Sequence, residues 1–578
     1  MKRFILIVFV VFNSCYNPIE NKTPNVIIIM TDDQGFGDLG INQNPNIITP
    51  NIDKFANKSI QFNNFFVSPV CAPTRSSLMT GRYSLRTGVR DTYNGGAIMS
   101  NNETTIAEIL RKANYATGIF GKWHLGDNYP FRPSEQGFDE SLIHLAGGIG
   151  QVGDFTNYFK GDTSYFDPIL WKNNKQNQYE GYCSDIFAEN AIEFIEKNKN
   201  NSFFCYLSFN APHTPLQVPE KYYNMYKDLN PELGFSDDLS DFRMNEKDKE
   251  DARKIYGMVT NIDDNVGKVI NKLKELKIEE ETIIIFMTDN GPQQIRYNSS
   301  MKGRKGTVYN GGIRVPFYIK YSEKFKESKV INKMSAHIDV LPTILELCNL
   351  NVPNDRKIDG QSLVPFINSK STNDRFLFSY WTRRFPEKYI NMSIQNDNYK
   401  LVGNNDFDSK IEEFELYDLV EDPNENNNII SQNIETARSF KKEMDNSIDD
   451  LLKSKNIKKP PRIIIGSEFE NPTILNRNDA SGERGVWAQN DIYTFWKVNF
   501  KKGIYDFKFK FKDSIANKGT LFTEINNRVY SKKIDKAINN TLEMNNISID
   551  NSEFDLISFL KLDSKKIYPF WIEIYKQN

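Results

Sequence analysis

The stretch SPVCAPTRSSLMTGR, residues 68–82, puts Cys71 two residues before Pro73 and four before Arg75, at the start of a run that reads as a helix. Proline favours the first helical turn, so Cys71 falls near a helix N-terminus, where free N–H groups and the helix dipole attract anions. Arg75 adds a fixed positive charge. The same setting favours a thiolate nucleophile. A cysteine hydrolase, however, needs an adjacent histidine base, and the local sequence offers none. Of the remaining interior cysteines, Cys183, Cys205 and Cys348, the last two sit in apolar strand and helix patterns and read as small core residues. No CxxC spacing points to zinc.

Two further stretches match each other. PNVIIIMTDDQG ends an apolar run on Asp32 and Asp33, and ETIIIFMTDNG ends another on Asp289 and Asn290. Ligands of open α/β sheets bind outside the carboxyl ends of the strands. Four hard oxygen side chains there suit Ca²⁺ or Mg²⁺. Either stretch alone reads equally well as a pair of turn-capping residues; the matched pair points to a metal. Basic groups stand in Gly- or Pro-bounded contexts: Lys122 and His124 in GKWHLG, His213 in NAPHTPL, Lys305 in MKGRKGTVYNGG. Singly, each reads as a surface lysine or a structural histidine. Together, an anion-binding helix end, a hard metal and several cations describe a site for a sulfate or phosphate ester. Of the other two histidines, His144 is open between binding and structure, and His337, opening HIDVLPT, reads as structural.

The elements that must position these groups follow from periodicity. PNVIIIM and TIIIFM are continuous apolar runs, the pattern of parallel strands buried on both faces. Helical spacing recurs at 104–115, 184–198 and 252–276. Strands alternating with helices over residues 24–370 predict a large α/β domain. A polar stretch from 232 to 251 interrupts it as a surface insertion. Residues 371–455 predict a smaller subdomain with a strand near 415 and a helix near 433–453. KSKNIKKPPR reads as a linker. From 462 to 578 the chain alternates apolar and polar at period two, which predicts an appended all-β, sandwich-like module. Its Trp487, Tyr493, Trp496 and Trp571 could stack on sugar, but read mostly as core. The module is expected to be an accessory that packs on the catalytic domain and adds little to turnover of a small ester.

The chain has 578 residues, and 73 basic against 75 acidic side chains give a net charge of −2. That balance argues against a nucleic-acid partner. MKRFILIVFVVFNSC reads as an export leader over 1–14, with Cys15 as a candidate lipidation site. A periplasmic or outer-membrane location is expected, with membrane contact only through that anchor.

The motif Cys71-Ala72-Pro73-Thr74-Arg75 and the extension SSLMTGRYSLRTGV resemble the signature of type I sulfatases of the alkaline-phosphatase superfamily. TDDQGFGDLG, TPNIDKFA, GIFGKWHLG, NAPHTPL, FMTDNGP, KGTVYNGGIRVP, HIDVLPTILEL and ELYDLVEDPNENNN resemble further blocks of that family in order, from about 25 to 430. Thr74 departs from the usual serine. The resemblance implies an alkaline-phosphatase-like mixed, mostly parallel sheet between helices, followed by an α+β subdomain. It implies that a maturation enzyme converts Cys71 to formylglycine (3-oxoalanine), whose hydrate attacks sulfur. It implies that Asp32, Asp33, Asp289 and Asn290, with the residue at 71, hold Ca²⁺ or Mg²⁺. Arg75 and Lys122 would polarise the diol, and Asp289 would take the attacking hydroxyl's proton. His124 would take the second hydroxyl's proton, while His213 and Lys305 would contact the sulfate, His213 protonating the leaving oxygen. The expected substrate is a sulfated oligosaccharide or polysaccharide of ulvan, carrageenan or fucoidan type. The alternatives are a phosphonate or phosphate monoester hydrolase, or a glycan-binding surface protein with a silent hydrolase domain.

Overall fold

The apolar runs before Asp32 and Asp289 form adjacent parallel strands, Asn25–Thr31 and Thr282–Thr288, in register from Asn25 against Thr282 to Thr31 against Thr288. Every residue of both is buried, because each face carries its own apolar layer. Val26, Ile28 and Met30 pack with Leu78 and Leu341; Ile27 and Ile29 pack with Phe187 and Ile262. These strands lie in the middle of a ten-stranded sheet. Its order is Lys329–Ile331, Ile60–Phe62, Phe317–Lys320, Thr282–Thr288, Asn25–Thr31, Phe203–Ser208, Ala116–Lys122, Glu140–His144, Ile169–Lys172 and Lys175–Gln178. The five strands from Thr282–Thr288 to Glu140–His144 are parallel, and the flanking pairings are mainly antiparallel. This is the mixed, mostly parallel sheet expected from the sequence.

This computed structural model describes residues 23–234, 244–370, 375–483, 485–516, 518–537, 539–563 and 565–577. The leader over 1–14 and Cys15 lie outside the described residues, as does part of the polar insertion. No helix among the described residues is long and apolar enough to cross a membrane.

The expected helices form at Ile106–Lys112, Cys183–Asn198 and Ile434–Leu451. The one predicted over 252–276 runs from Glu246 to Glu275. It starts earlier because the Asn245 side chain accepts from the Asp248 amide, and Glu246 and Asp248 suit the positive end of the dipole. In the subdomain after the main sheet, that Ile434–Leu451 helix packs on a four-stranded antiparallel sheet, Leu377–Tyr380, Met392–Gln395, Tyr399–Gly403 and Glu415–Asp418.

The C-terminal residues form a seven-stranded and a four-stranded sheet around Trp496, Phe500, Phe507, Phe509 and Ile572. Ile98 and Phe131 of the preceding α/β segment belong to the same apolar cluster. A second cluster joins Leu145, Val152 and Phe155 to Phe570. The segment read as a linker is also held: the Ser454 hydroxyl and the Asn456 amide donate to the Arg86 carbonyl at 2.9 and 2.8 Å. Local composition could not show this, because the partners come from residues 86–131. Trp496 is core, as expected. Trp571 stacks on Phe155 across the contact, at 5.1 Å between ring centroids. Tyr493 is partly exposed, and Trp487 turns toward a cleft.

Phe570 is buried against Tyr158, with ring centroids 4.8 Å apart. Phe570→Ala is expected to destabilise the protein by about 3–5 kcal/mol, read as a shift in the urea midpoint. A chain ending at Lys458 is expected to aggregate, since Ile98, Phe131 and Phe155 lose their cover. A soluble truncated chain that unfolds at the full-length midpoint would contradict this.

Candidate active site

The register of the parallel strands brings five chain segments to one edge of the sheet. Thr31 pairs with Thr288, Met30 and Gly121 both pair with Ser208, and Lys122 pairs with His144. Asp32, Asp33, Asp289, Asn290 and Lys122 therefore leave the sheet at one level. The helix Cys71–Thr80 points its first residue at the same place, and all ten of its residues are buried. The Thr74 hydroxyl receives the Ser68 amide at 3.1 Å and donates to the Ser68 carbonyl at 3.2 Å, closing the turn into this helix. Thr74 thus supplies the hydroxyl that the resemblance expects of serine.

Ligand atoms of Asp32, Cys71 and Asp289 lie within 4.8 Å of one another, as do those of Asp32, Asp33 and His213. Asp32 Oδ1, Asp33 Oδ2 and Asn290 Oδ1 are buried and make no hydrogen bond among the described residues. Buried polar atoms are almost always paired, so three orphaned oxygens in one cluster suit a hard cation. Their other oxygens are accounted for. Lys122 donates to Asp32 Oδ2. Lys305 contacts Asp33 Oδ1 at 2.6 Å, and the Asn290 amide donates to it at 2.8 Å. Arg75 grips Asp289 Oδ2 through Nε and Nη2, at 3.1 and 2.6 Å, and its Nη1 donates to Ser208. Arg75 and Lys122 are fully buried behind the carboxylates, whereas Lys305 and His213 line the open cleft.

Burial pushes Asp289 up to about 6, with Asp32 adding to the effect against Arg75 and Lys122. Burial also opposes ionisation of Asp33, but Lys305, helped by the Asn290 amide, outweighs it and holds that carboxyl below the usual range. Burial, then Lys305, brings His213 down to about 3; burial, then Lys122, takes His124 well below its ordinary value. Both rings are neutral, so a single N–H sits on each. His124 Nε2 lies 2.7 Å from the Thr92 carbonyl, which can only accept; Nδ1 is then bare and faces Cys71 Sγ at 3.4 Å. His213 Nδ1 donates to the Thr214 carbonyl at 2.7 Å, and bare Nε2 faces Asp33 Oδ2 at 3.8 Å. The local sequence shows no histidine beside Cys71, but the fold brings one from 53 positions away. Burial raises the Cys71 thiol, so this pair is not an ionised thiolate–imidazolium couple. Asp33 and His124 hold left-handed backbone, at φ 62° and 59°, a strain found at sites that the surroundings over-determine.

His144 donates from Nδ1 to the Leu145 carbonyl at 2.8 Å, is buried, and does not line the cleft. His337 bonds Ser68 and the Phe66 carbonyl at the start of its helix. The cleft, about 770 Å³, also contains residues that sequence reasoning missed: Tyr93, Gln151, Trp381, Arg383 and Asn478. The aromatic and basic cluster YWTRRF could have pointed to Trp381 and Arg383, and the GGIGQ loop around His144 to Gln151; nothing local marks Tyr93 or Asn478. Trp487, read mostly as core, lines the cleft as well.

A mixed sheet with carboxylates, lysine and histidine gathered at its strand ends defines an alkaline-phosphatase-like hydrolase. Comparison narrows the class. The family model described as Sulfatase matches residues 24–350, and one for the C-terminal part of N-sulphoglucosamine sulphohydrolase matches 304–454. N-acetylgalactosamine-6-sulfatase of Mus musculus is 30% identical over 391 residues, 62% of this chain and 69% of the relative. N-acetylglucosamine-6-O-sulfatase of Bacteroides thetaiotaomicron is 26% identical over 508 residues, covering 72% and 85%. The crystal structure of Ps i-CgsB in complex with k-i-k-neocarrahexaose superposes with a TM-score of 0.64 at 27% identity, covering 75% of this chain and 94% of that one. The chain belongs to the sulfatase family and is a sulfuric ester hydrolase.

Lys122→Met is expected to destabilise the protein by about 3–5 kcal/mol, because it leaves Asp32 buried without its nearest cation. In chelator, the double variant Lys122→Met/Asp32→Asn should recover much of that loss, read by urea unfolding. Equal midpoints for the single and double variants would show that the pair is not what holds this edge together.

Proposed function

We propose that this sulfatase removes sulfate from a sulfated oligosaccharide of algal, carrageenan-like type, using a formylglycine at position 71 and a divalent cation. One observation carries the proposal. Asp32 Oδ1, Asp33 Oδ2 and Asn290 Oδ1 are orphaned beside Cys71, and Lys305 and His213 face the same cleft. Asp32, Asp33, Asp289 and Asn290 would hold the ion, an all-oxygen set matching Ca²⁺ or Mg²⁺ rather than zinc. Bound there, the ion would supply fixed positive charge next to the ester. Converted to formylglycine, position 71 would supply a hydrated aldehyde as nucleophile in place of a protonated thiol.

The other roles belong to this chain's own side chains. His124 presents a bare Nδ1 to the outer atom of residue 71 and is placed to take a proton from it. The Thr92 carbonyl holds that ring in the required tautomer. Lys305 stands in the cleft as a fixed cation for the sulfate oxygens, bound to Asp33. His213 Nε2 is bare at rest. An anionic ester beside it raises its proton affinity, and the proton so gained can pass to the leaving oxygen. Arg75 and Lys122 pair with Asp289 and Asp32 and keep those carboxylates aimed. The breadth of the cleft and its aromatic wall support a sugar rather than a small aryl group, as does the neocarrahexaose bound to the similar protein.

Mass spectrometry of the matured protein should show the peptide containing Cys71 about 18 Da lighter than its thiol form. Full activity with an intact thiol would refute the nucleophile. Exhaustive chelation should abolish turnover, and Ca²⁺ or Mg²⁺ should restore it. Sulfate release should appear with oligosaccharides from carrageenan, ulvan or fucoidan, and should exceed phosphate release from matched phosphate esters. The reverse preference would favour a phosphate ester hydrolase.

A further inference from the structure

The cleft wall opposite the sheet is built from three distant segments. Trp381 and Arg383 lie just beyond the strand Leu377–Tyr380, Tyr93 follows the Ser84–Thr87 helix, and Trp487 belongs to the C-terminal β-module. They stand in a row. The Arg383 guanidinium lies 4.9 Å from the Trp381 ring centroid and 4.6 Å from that of Tyr93. The Tyr93 and Trp487 centroids are 6.1 Å apart. The row meets the supports of the catalytic groups at two points. Thr92 accepts from His124 through its carbonyl, and its hydroxyl accepts from Arg383 Nη1 at 2.9 Å. Trp381 lies over Gly306, next to Lys305, where a Cβ would come within 2.9 Å of the indole.

The row is also rigid. Asp91, fully buried, accepts from Arg383 Nη1 at 3.2 Å and from the Trp381 indole at 3.1 Å. The module clamps the Tyr93 loop. The Gly482 amide donates to Asn94 Oδ1 at 2.9 Å, and a Cβ on Gly95 (φ +61°) would sit 2.3 Å from the Ser481 hydroxyl. Arg383 Nε and Nη2 make no hydrogen bond among the described residues, and the side chain is 43% exposed. An arginine stacked between two rings has already lost most of the rotamer freedom that binding would cost. Its free edge offers paired donors to a planar carboxylate or a sulfate. Trp487, half-buried on the far side of Tyr93, offers an aromatic surface for a sugar ring.

We infer that Arg383 and Trp487 form a second subsite, which binds the sugar next to the one losing its sulfate. Trp487 stacks on that sugar, and Arg383 pairs with an anionic substituent on it, a second sulfate or a carboxylate. This rests on the carbohydrate reading above. It makes the β-module part of the substrate pocket rather than an accessory.

The test compares full-length wild type with Arg383→Ala, Arg383→Lys and Trp487→Ala. The substrates are 4-nitrophenyl sulfate and oligosaccharides whose neighbouring sugar is neutral, sulfated or carboxylated. Arg383→Ala should lower kcat/KM about 10- to 100-fold on the charged neighbours, through KM. On the neutral neighbour and on 4-nitrophenyl sulfate it should lower kcat/KM by a much smaller factor, which reads only what the Arg383–Thr92 contact adds to holding His124. Arg383→Lys should recover only part of the loss, because the stack and the fork are gone. Trp487→Ala should lower kcat/KM about 10-fold on all oligosaccharides and leave the small ester unaffected. Equal losses on every substrate would make these residues structural and overturn the subsite. So would unchanged kinetics on the charged oligosaccharides. A wild type that cleaves 4-nitrophenyl sulfate but none of the oligosaccharides would overturn the carbohydrate reading, and the subsite with it.

Discussion

Asp32, Asp33 and Asp289 are buried together at one edge of a sheet whose interior is apolar, and the rest of the catalytic region follows from that constraint. Like charges in a low-dielectric site repel strongly, and burial disfavours the charged form of a carboxyl. The fold answers with three cations, two buried behind the carboxylates and one at the cleft wall. Arg75 takes Asp289, Lys122 takes Asp32 and Lys305 takes Asp33. Each cation comes from a different element, so the helix, the Ala116–Lys122 strand and the 302–306 loop cannot move apart without stranding a charge. The result is uneven: burial and the neighbouring Asp32 charge push Asp289 up, whereas at Asp33 burial is outweighed, chiefly by Lys305.

The histidines are set by a gentler means. Backbone carbonyls of Thr92 and Thr214 each take one ring N–H, and this dictates which nitrogen faces the cleft. A carbonyl cannot become charged or donate, so the tautomer is stable while the site's charge changes during turnover. Position 71 thus meets an acceptor on one side and the carboxylate cluster on the other.

The C-terminal module shows how an appended domain becomes part of a site. Its core merges with Ile98 and Phe131, its edge clamps the loop that carries Tyr93, and Trp487 reaches the cleft. The loop that orients His124 is the same loop that the module grips. The wall that carries Tyr93 and the ring that faces Cys71 therefore share a support.

Much of the catalytic edge was legible in the sequence, because it rests on local rules. Continuous β-branched runs ending in Asp-Asp and Asp-Asn mark buried parallel strands and their carboxyl ends, and a proline two residues after Cys71 marks a helix start. These patterns depend on neighbours a few positions away, and the strands and the helix formed where they point. The long-range contacts were not legible. That His124 stands against Cys71 depends on strand register, that Arg383 stacks between Trp381 and Tyr93 depends on how a second sheet packs, and that Trp487 lines the cleft depends on a contact bridging 388 positions between Gly482 and Asn94. Periodicity told that Trp487 sits in a β-module, but whether a large aromatic faces its own core or another domain's cleft is decided by which surfaces meet. That choice belongs to the summed packing of the tertiary structure, not to any stretch of chain.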